Sequence, residues 1–150
     1  MIRFVCCFLM ILAFFSSCGV SSFESSSSEE LLRDIMICFQ TEDGHLYSRD
    51  EKARYPLTDA MLDRMFFGAS LEDLRYVESM AVYFSGRFCD HEIVVVELFD
   101  MSHRKTIASL LTKRAELKEH ATVYAQGNYV FLICTEQNEE ILDIIQEKIG

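Results

Sequence analysis

The chain has 150 residues, 14 basic and 24 acidic, for a formal charge of −10, and half of its residues are hydrophobic. So acidic a surface repels phosphate backbones and anionic headgroups, which excludes nucleic acid as an expected partner and leaves any membrane attachment to something other than charge. The length supports one domain with one core.

Arg3 is the only charge before Glu24, and it precedes an unbroken apolar run from Phe4 to Phe15. A helix crossing the hydrocarbon core needs roughly 20 apolar residues and an export signal only roughly 7 to 15, so this shorter run predicts a secretory signal. Behind it, Phe15-Ser16-Ser17-Cys18-Gly19 resembles the lipobox of bacterial lipoproteins, with Phe15 where Leu is commonest. The resemblance implies that residues 1–17 are a cleaved signal peptide and that Cys18 becomes a diacylated N-terminus. One acyl chain binds a bilayer marginally, with an association constant on the order of 10⁴ M⁻¹, whereas two hold stably. The expected partner is therefore the membrane, through lipid on Cys18, and the expected location its extracytoplasmic face. Loss of residues 1–17 removes Arg3 and leaves a charge of 13 − 24 = −11.

Residues 18–28 are serine-rich and read as a tether, and residues 29–150 as a single domain. A helix is expected from about 29 to 39, capped by Ser28, with Glu29 and Glu30 in its first turn and Leu31, Leu32, Ile35, Met36 and Phe39 at helical spacing. Residues 40–57 are polar, hold Gly44 and the only proline, Pro56, and read as an exposed loop. Thr58 caps a short helix with Met61, Leu62, Met65 and Phe66, ending at Gly68, and Ser70 caps a turn with Leu71 and Leu74. At this spacing the methionines read as core rather than as an adaptable binding face.

From Tyr76 the period changes. Tyr76 to Phe84 alternates, and Glu92 to Phe99 is apolar on both faces, which predicts a hairpin whose second strand is central. Asp100 or Ser102 caps a helix over about 102 to 118, with Ile107, Leu110, Leu111 and Leu117 on one face. Thr122–Gln126 and Tyr129–Cys134 are strands joined by the hairpin turn Gly127-Asn128, and a last helix, capped by Thr135 or Asn138, carries Ile141, Leu142, Ile145 and Ile149. The expected fold is α+β: a four-stranded antiparallel sheet, strand-strand-helix twice, with helices on at least one face and two additional N-terminal helices at its end or edge.

The stretch from Phe67 to Gly150 resembles a family of bacterial lipoproteins, mostly from Gram-positive anaerobes, defined by a domain of unknown function (number four-three-five-eight). The resemblance rests on Asp90-His91-Glu92-Ile93-Val94-Val95-Val96, on Leu110-Leu111-Thr112-Lys113-Arg114 and on Gly127-Asn128-Tyr129-Val130. It implies a membrane-tethered extracytoplasmic domain of no assigned activity, and supplies no catalytic residue.

Arg114 continues the apolar face of its helix, so it must either extend its head to water or meet a carboxylate. Glu92 and Glu97 are the candidates for a structural ion pair. Cys38 and Cys134 sit in apolar stretches and read as small buried hydrophobes, while Cys89, beside Asp90 and His91, reads as accessible. His45, His91, His103 and His120 show no metal-ligand spacing, nor do the cysteines, so no metal or other cofactor is expected. The function expected is a non-enzymatic binding or accessory domain. The alternative is an envelope enzyme using Cys89 and His91 or the carboxylates near Glu92.

Overall fold

The computed structural model describes residues 27–38, 44–66, 73–86 and 91–150. Its helices are α1 (Ser28–Cys38), α2 (Asp59–Met65), α3 (Arg104–Ala115) and α4 (Asn138–Ile149). Its strands are β1 (Gly44–Ser48), β2 (Val77–Ser85), β3 (Glu92–Leu98), β4 (Ala121–Gln126) and β5 (Tyr129–Cys134). The strands form one antiparallel sheet in the order β1-β2-β3-β5-β4.

The sheet therefore has five strands, not four. The additional one, β1, lies inside the stretch expected to be a loop, where Gly44 pairs with Ser85 and Ser48 with Ala81. Only Leu46 and Tyr47 give it apolar character, one toward each face, so its extended form comes from pairing with β2 rather than from local pattern. Gly44 is needed for close approach: a Cβ there would fall inside van der Waals contact of the Phe84 carbonyl oxygen and the Tyr83 ring. The chain then returns along the outer edge, with Ser48 N–H donating to the Tyr55 carbonyl (3.1 Å) and Leu57 N–H to that of Ser48 (2.8 Å). That return covers part of an edge that would otherwise be open to pairing.

Helices cover both faces. Leu31, Leu32 and Ile35 of α1 and Ile141 and Ile145 of α4 pack on Ala81, Tyr83, Ile93, Val95, Phe131 and Ile133. Leu62 and Met65 of α2 and Ile107 and Leu111 of α3 pack on Met80, Val82, Val94, Val96, Val130 and Leu132. Helix α1 thus lies on one face, not at the end or edge of the sheet, while α2 joins the cluster of the opposite face beside the end of β2 and the edge strand β1. The central strands β3 and β5 are buried along their whole length, as strands covered on both sides must be. The two strand-strand-helix units place their helices on opposite faces, so they are not copies of one arrangement.

Several local expectations shift. The cap of α1 is Ser27: its Oγ accepts from Glu30 N–H (3.3 Å), and Glu30 Oε2 accepts from Ser27 N–H (3.2 Å), a reciprocal capping box. Helix α3 stops at Ala115, which puts Leu117 outside its apolar face and 71% exposed. Phe99, expected in the central strand, lies one residue past its end and is 67% exposed. Gln137 takes the N-cap position of α4, while Asn138 Oδ1 accepts from Thr135 N–H (2.9 Å) and Thr135 Oγ1 (3.0 Å). At the β4–β5 turn Gly127 takes the positive φ of 56°. Asn128 does not, so the turn needs only its first residue in the left-handed region.

Candidate functional site

The alternation of β3 sends Glu92, Val94 and Val96 toward α2 and α3, and Ile93, Val95 and Glu97 toward α1 and α4. The parity separates the two glutamates that the sequence offered to Arg114. Glu92 has no exposed side-chain surface, and Arg114 reaches it from the last turn of α3, one turn beyond the buried Leu111. Arg114 Nε donates to Oε1 at 2.5 Å and Nη2 to Oε2 at 2.9 Å, while Lys118 Nζ lies 2.7 Å from Oε2. Two cations thus share one buried carboxylate, with Arg114 bound in the bidentate geometry that fixes a guanidinium plane. The pairing uses Nε and Nη2 of Arg114 and leaves Nη1 out.

Glu97 lies 3% exposed on the other face, apart from Arg114, and accepts from Ser79 Oγ (2.8 Å), Tyr129 OH (3.1 Å) and Asn128 Nδ2 (3.3 Å). Ser79 Oγ also accepts from the N–H of Ser28 (2.9 Å), which ties the start of α1 to the sheet. Asn128, expected only as a turn residue, is part of this buried network.

Arg114 and Lys118 also line a cleft of about 450 Å³ between α2 and the end of the sheet. Its walls come from Met61 and Met65 of α2, Tyr47 of β1 and Phe84 of β2. The Tyr47 and Phe84 ring centroids are 5.8 Å apart, and Tyr55 lies 5.8 Å from Tyr47, so the aromatic wall is itself packed. Arg64, exposed on α2, adds a third cation to the lining, and His45 stands beside Tyr47 at the outer edge. Among the described residues no acidic side chain lines this cleft. A larger depression of about 590 Å³ between α1 and the edge of β1 has mixed charge, with Arg33 and Glu29 of its lining already paired at 2.6 Å.

The methionines read from the sequence as core therefore do two things: Met65 is buried in the core, and both it and Met61 face the cleft. Arg64, Tyr47 and Phe84 carried no sequence signal as site residues, because α2, β1 and β2 bring them together only in the folded chain.

Cys38, expected to be buried, is exposed at the last residue of α1, off the stripe formed by Leu31, Leu32 and Ile35. Cys134 is buried, and its Sγ donates to the Glu119 carbonyl at 3.1 Å. Cys18 and Cys89 lie outside the described residues, as do Phe39, Gly68, Ser70 and Leu71. The histidines do not converge: His91 immediately precedes β3, His103 stacks on Tyr76 with centroids 3.3 Å apart, and His120 sits at φ 55° before β4. Among the described residues no group of three or more His, Cys, Asp or Glu could hold a metal ion, and no helix is long and apolar enough to cross a membrane.

No protein-family model matches the chain, and neither a curated protein nor a solved structure matches it.

Proposed function

We propose that this is a lipid-anchored, extracytoplasmic binding domain whose ligand site is the cleft between α2 and the end of the sheet. The likeness to the lipoprotein family of unknown function belongs to the same proposal. The observation that carries the binding reading is the cleft: apolar walls, a cationic end and a volume of about 450 Å³. Small-molecule sites combine such walls with a few placed polar groups and typically enclose about 300–1,000 Å³. The leader Arg3 to Phe15 and the Ser16-Ser17-Cys18 motif support the location. The enzyme reading gains nothing from Glu92, whose carboxylate serves as counter-ion to Arg114 and Lys118 and is closed to solvent.

Location and binding are tested separately. Protease added to intact cells should digest the protein in the membrane fraction while leaving a cytosolic marker whole. Full protection of the protein until the cells are lysed would place the domain on the wrong side of the membrane and overturn the proposal.

A further inference from the structure

The chain carries a charge of −10, yet the cleft gathers Arg64, Arg114 and Lys118 with no acidic lining among the described residues. Among the described residues Glu92, shared by Arg114 and Lys118, offsets only part of this charge, and Arg64 and Arg114 keep that lining cationic beside an apolar slot. A field of this sign on an acidic protein is local, and within a low-dielectric cleft it is focused rather than spread. Resting on the binding-domain reading above, we infer that the cleft takes a single-chain amphiphilic carboxylate in free solution. Its headgroup sits against Arg114 and Arg64, and its hydrocarbon lies along Met61, Met65, Phe84 and Tyr47.

The arginine geometry favours a carboxylate. A guanidinium offers five N–H donors in a planar fork. Glu92 takes Nε and one donor of Nη2, holding the plane fixed, and one N–H of Nη1 with the remaining N–H of Nη2 can give two parallel bonds to a second pair of oxygens. Glu92 is thereby a positioning residue for Arg114. The unbranched methionines suit a chain of variable length, because their side chains repack around irregular apolar shapes. The limited volume argues against a polyanion or a bilayer surface as the occupant.

The test uses the full-length protein in phosphatidylcholine nanodiscs with carbon-13-labelled methionine methyl groups, titrated with octanoate, octanol and octyltrimethylammonium. Octanoate should move the Met61 and Met65 signals saturably, while octanol and the cationic amphiphile need at least about tenfold higher concentration, the loss of one charge-assisted contact. Arg64→Gln should weaken octanoate severalfold and leave octanol unchanged. Ala60→Trp, an exposed position on the cleft wall, should abolish the response. The signal of Met80, buried and outside the cleft lining, reports that each variant is folded. If octanol binds as tightly as octanoate, the carboxylate inference falls and the binding-domain reading stands. If no amphiphile moves either methyl group while Met80 shows a folded protein, both fall. Displacement of octanoate by phosphatidylglycerol added to the nanodiscs would assign the cleft to lipid headgroups and overturn the free-ligand inference.

Discussion

Glu92 is the residue on which one end of the sheet turns. A carboxylate without solvent contact is tolerable only if its charge is matched, and Arg114 and Lys118 match it from α3 and the turn beyond. Removing one partner of a buried pair typically costs about 3–5 kcal/mol. Because Lys118 remains, Arg114→Met should lose about 2–3 kcal/mol in urea unfolding, somewhat less than that range. Glu92→Gln should lose less, about 1–2 kcal/mol, since the two cations left behind are 15% and 17% exposed and can turn to water. Equal or greater stability of Arg114→Met would show that the pair is dispensable. Gly44 is constrained from the opposite side. Gly44→Ala places a methyl against the Phe84 carbonyl and the Tyr83 ring and should cost about 1–3 kcal/mol, the range for forced overpacking. That Arg114 needs a carboxylate was legible from its place after Ile107 and Leu111. The sequence also separates the two glutamates, because Glu92 shares the parity of Val94 and Val96 whereas Glu97 shares that of Ile93 and Val95, but only the fold shows which of these faces α3 covers.

At the level of the elements, boundary chemistry is mostly local and could be read directly. Thr58 accepts from Met61 N–H at 3.3 Å as expected of a cap, and Asp100 accepts from Ser102 N–H at 2.8 Å at the start of the turn that leads into α3. The backbone and side-chain hydrogen bonds from Ser102 hold the Asp100 carboxyl below the usual aspartate range. A depressed carboxyl adds stability that is present above the unfolded aspartate pKa of about 3.9 and is lost as pH falls through the lower folded value. The melting-temperature difference between the parent and Asp100→Ala should therefore be constant near neutrality and shrink below about pH 4. A difference that stays constant down to pH 2 would remove the ionised cap from the account. Strand β1 is the element that sequence could not supply. Its five residues are polar at two positions and apolar toward two different faces, so neither period 2 nor period 3.6 emerges. Only the edge of β2 makes it a strand. The cleft was hidden for the same reason, since Tyr47 comes from this strand and meets Met61, Phe84 and Arg114 across long sequence separations.

Across the whole molecule, the sheet divides two apolar clusters, and each has one N-terminal and one C-terminal helix over it. The central place of β3 was legible in its apolar run Ile93–Val96, but the sequence pattern required helices on only one face and did not mark β5 as covered on both. The assignment of α1 and α2 to opposite faces was not legible, because an amphipathic helix carries no mark of which side of a sheet it will cover. If the Cys18 motif acts as its resemblance implies, nine residue steps lead from Cys18 to Ser27 of the capping box of α1, and fully extended they reach at most about 32 Å. The domain is then confined to a thin layer over the bilayer. Intact-mass spectrometry of the protein extracted from membranes tests this most directly. The expected product is a chain that begins at Cys18, heavier than its polypeptide by a diacylglyceryl group, with that addition lost in Cys18→Ala. An unmodified chain retaining Met1 in the soluble fraction of wild-type cells would contradict it.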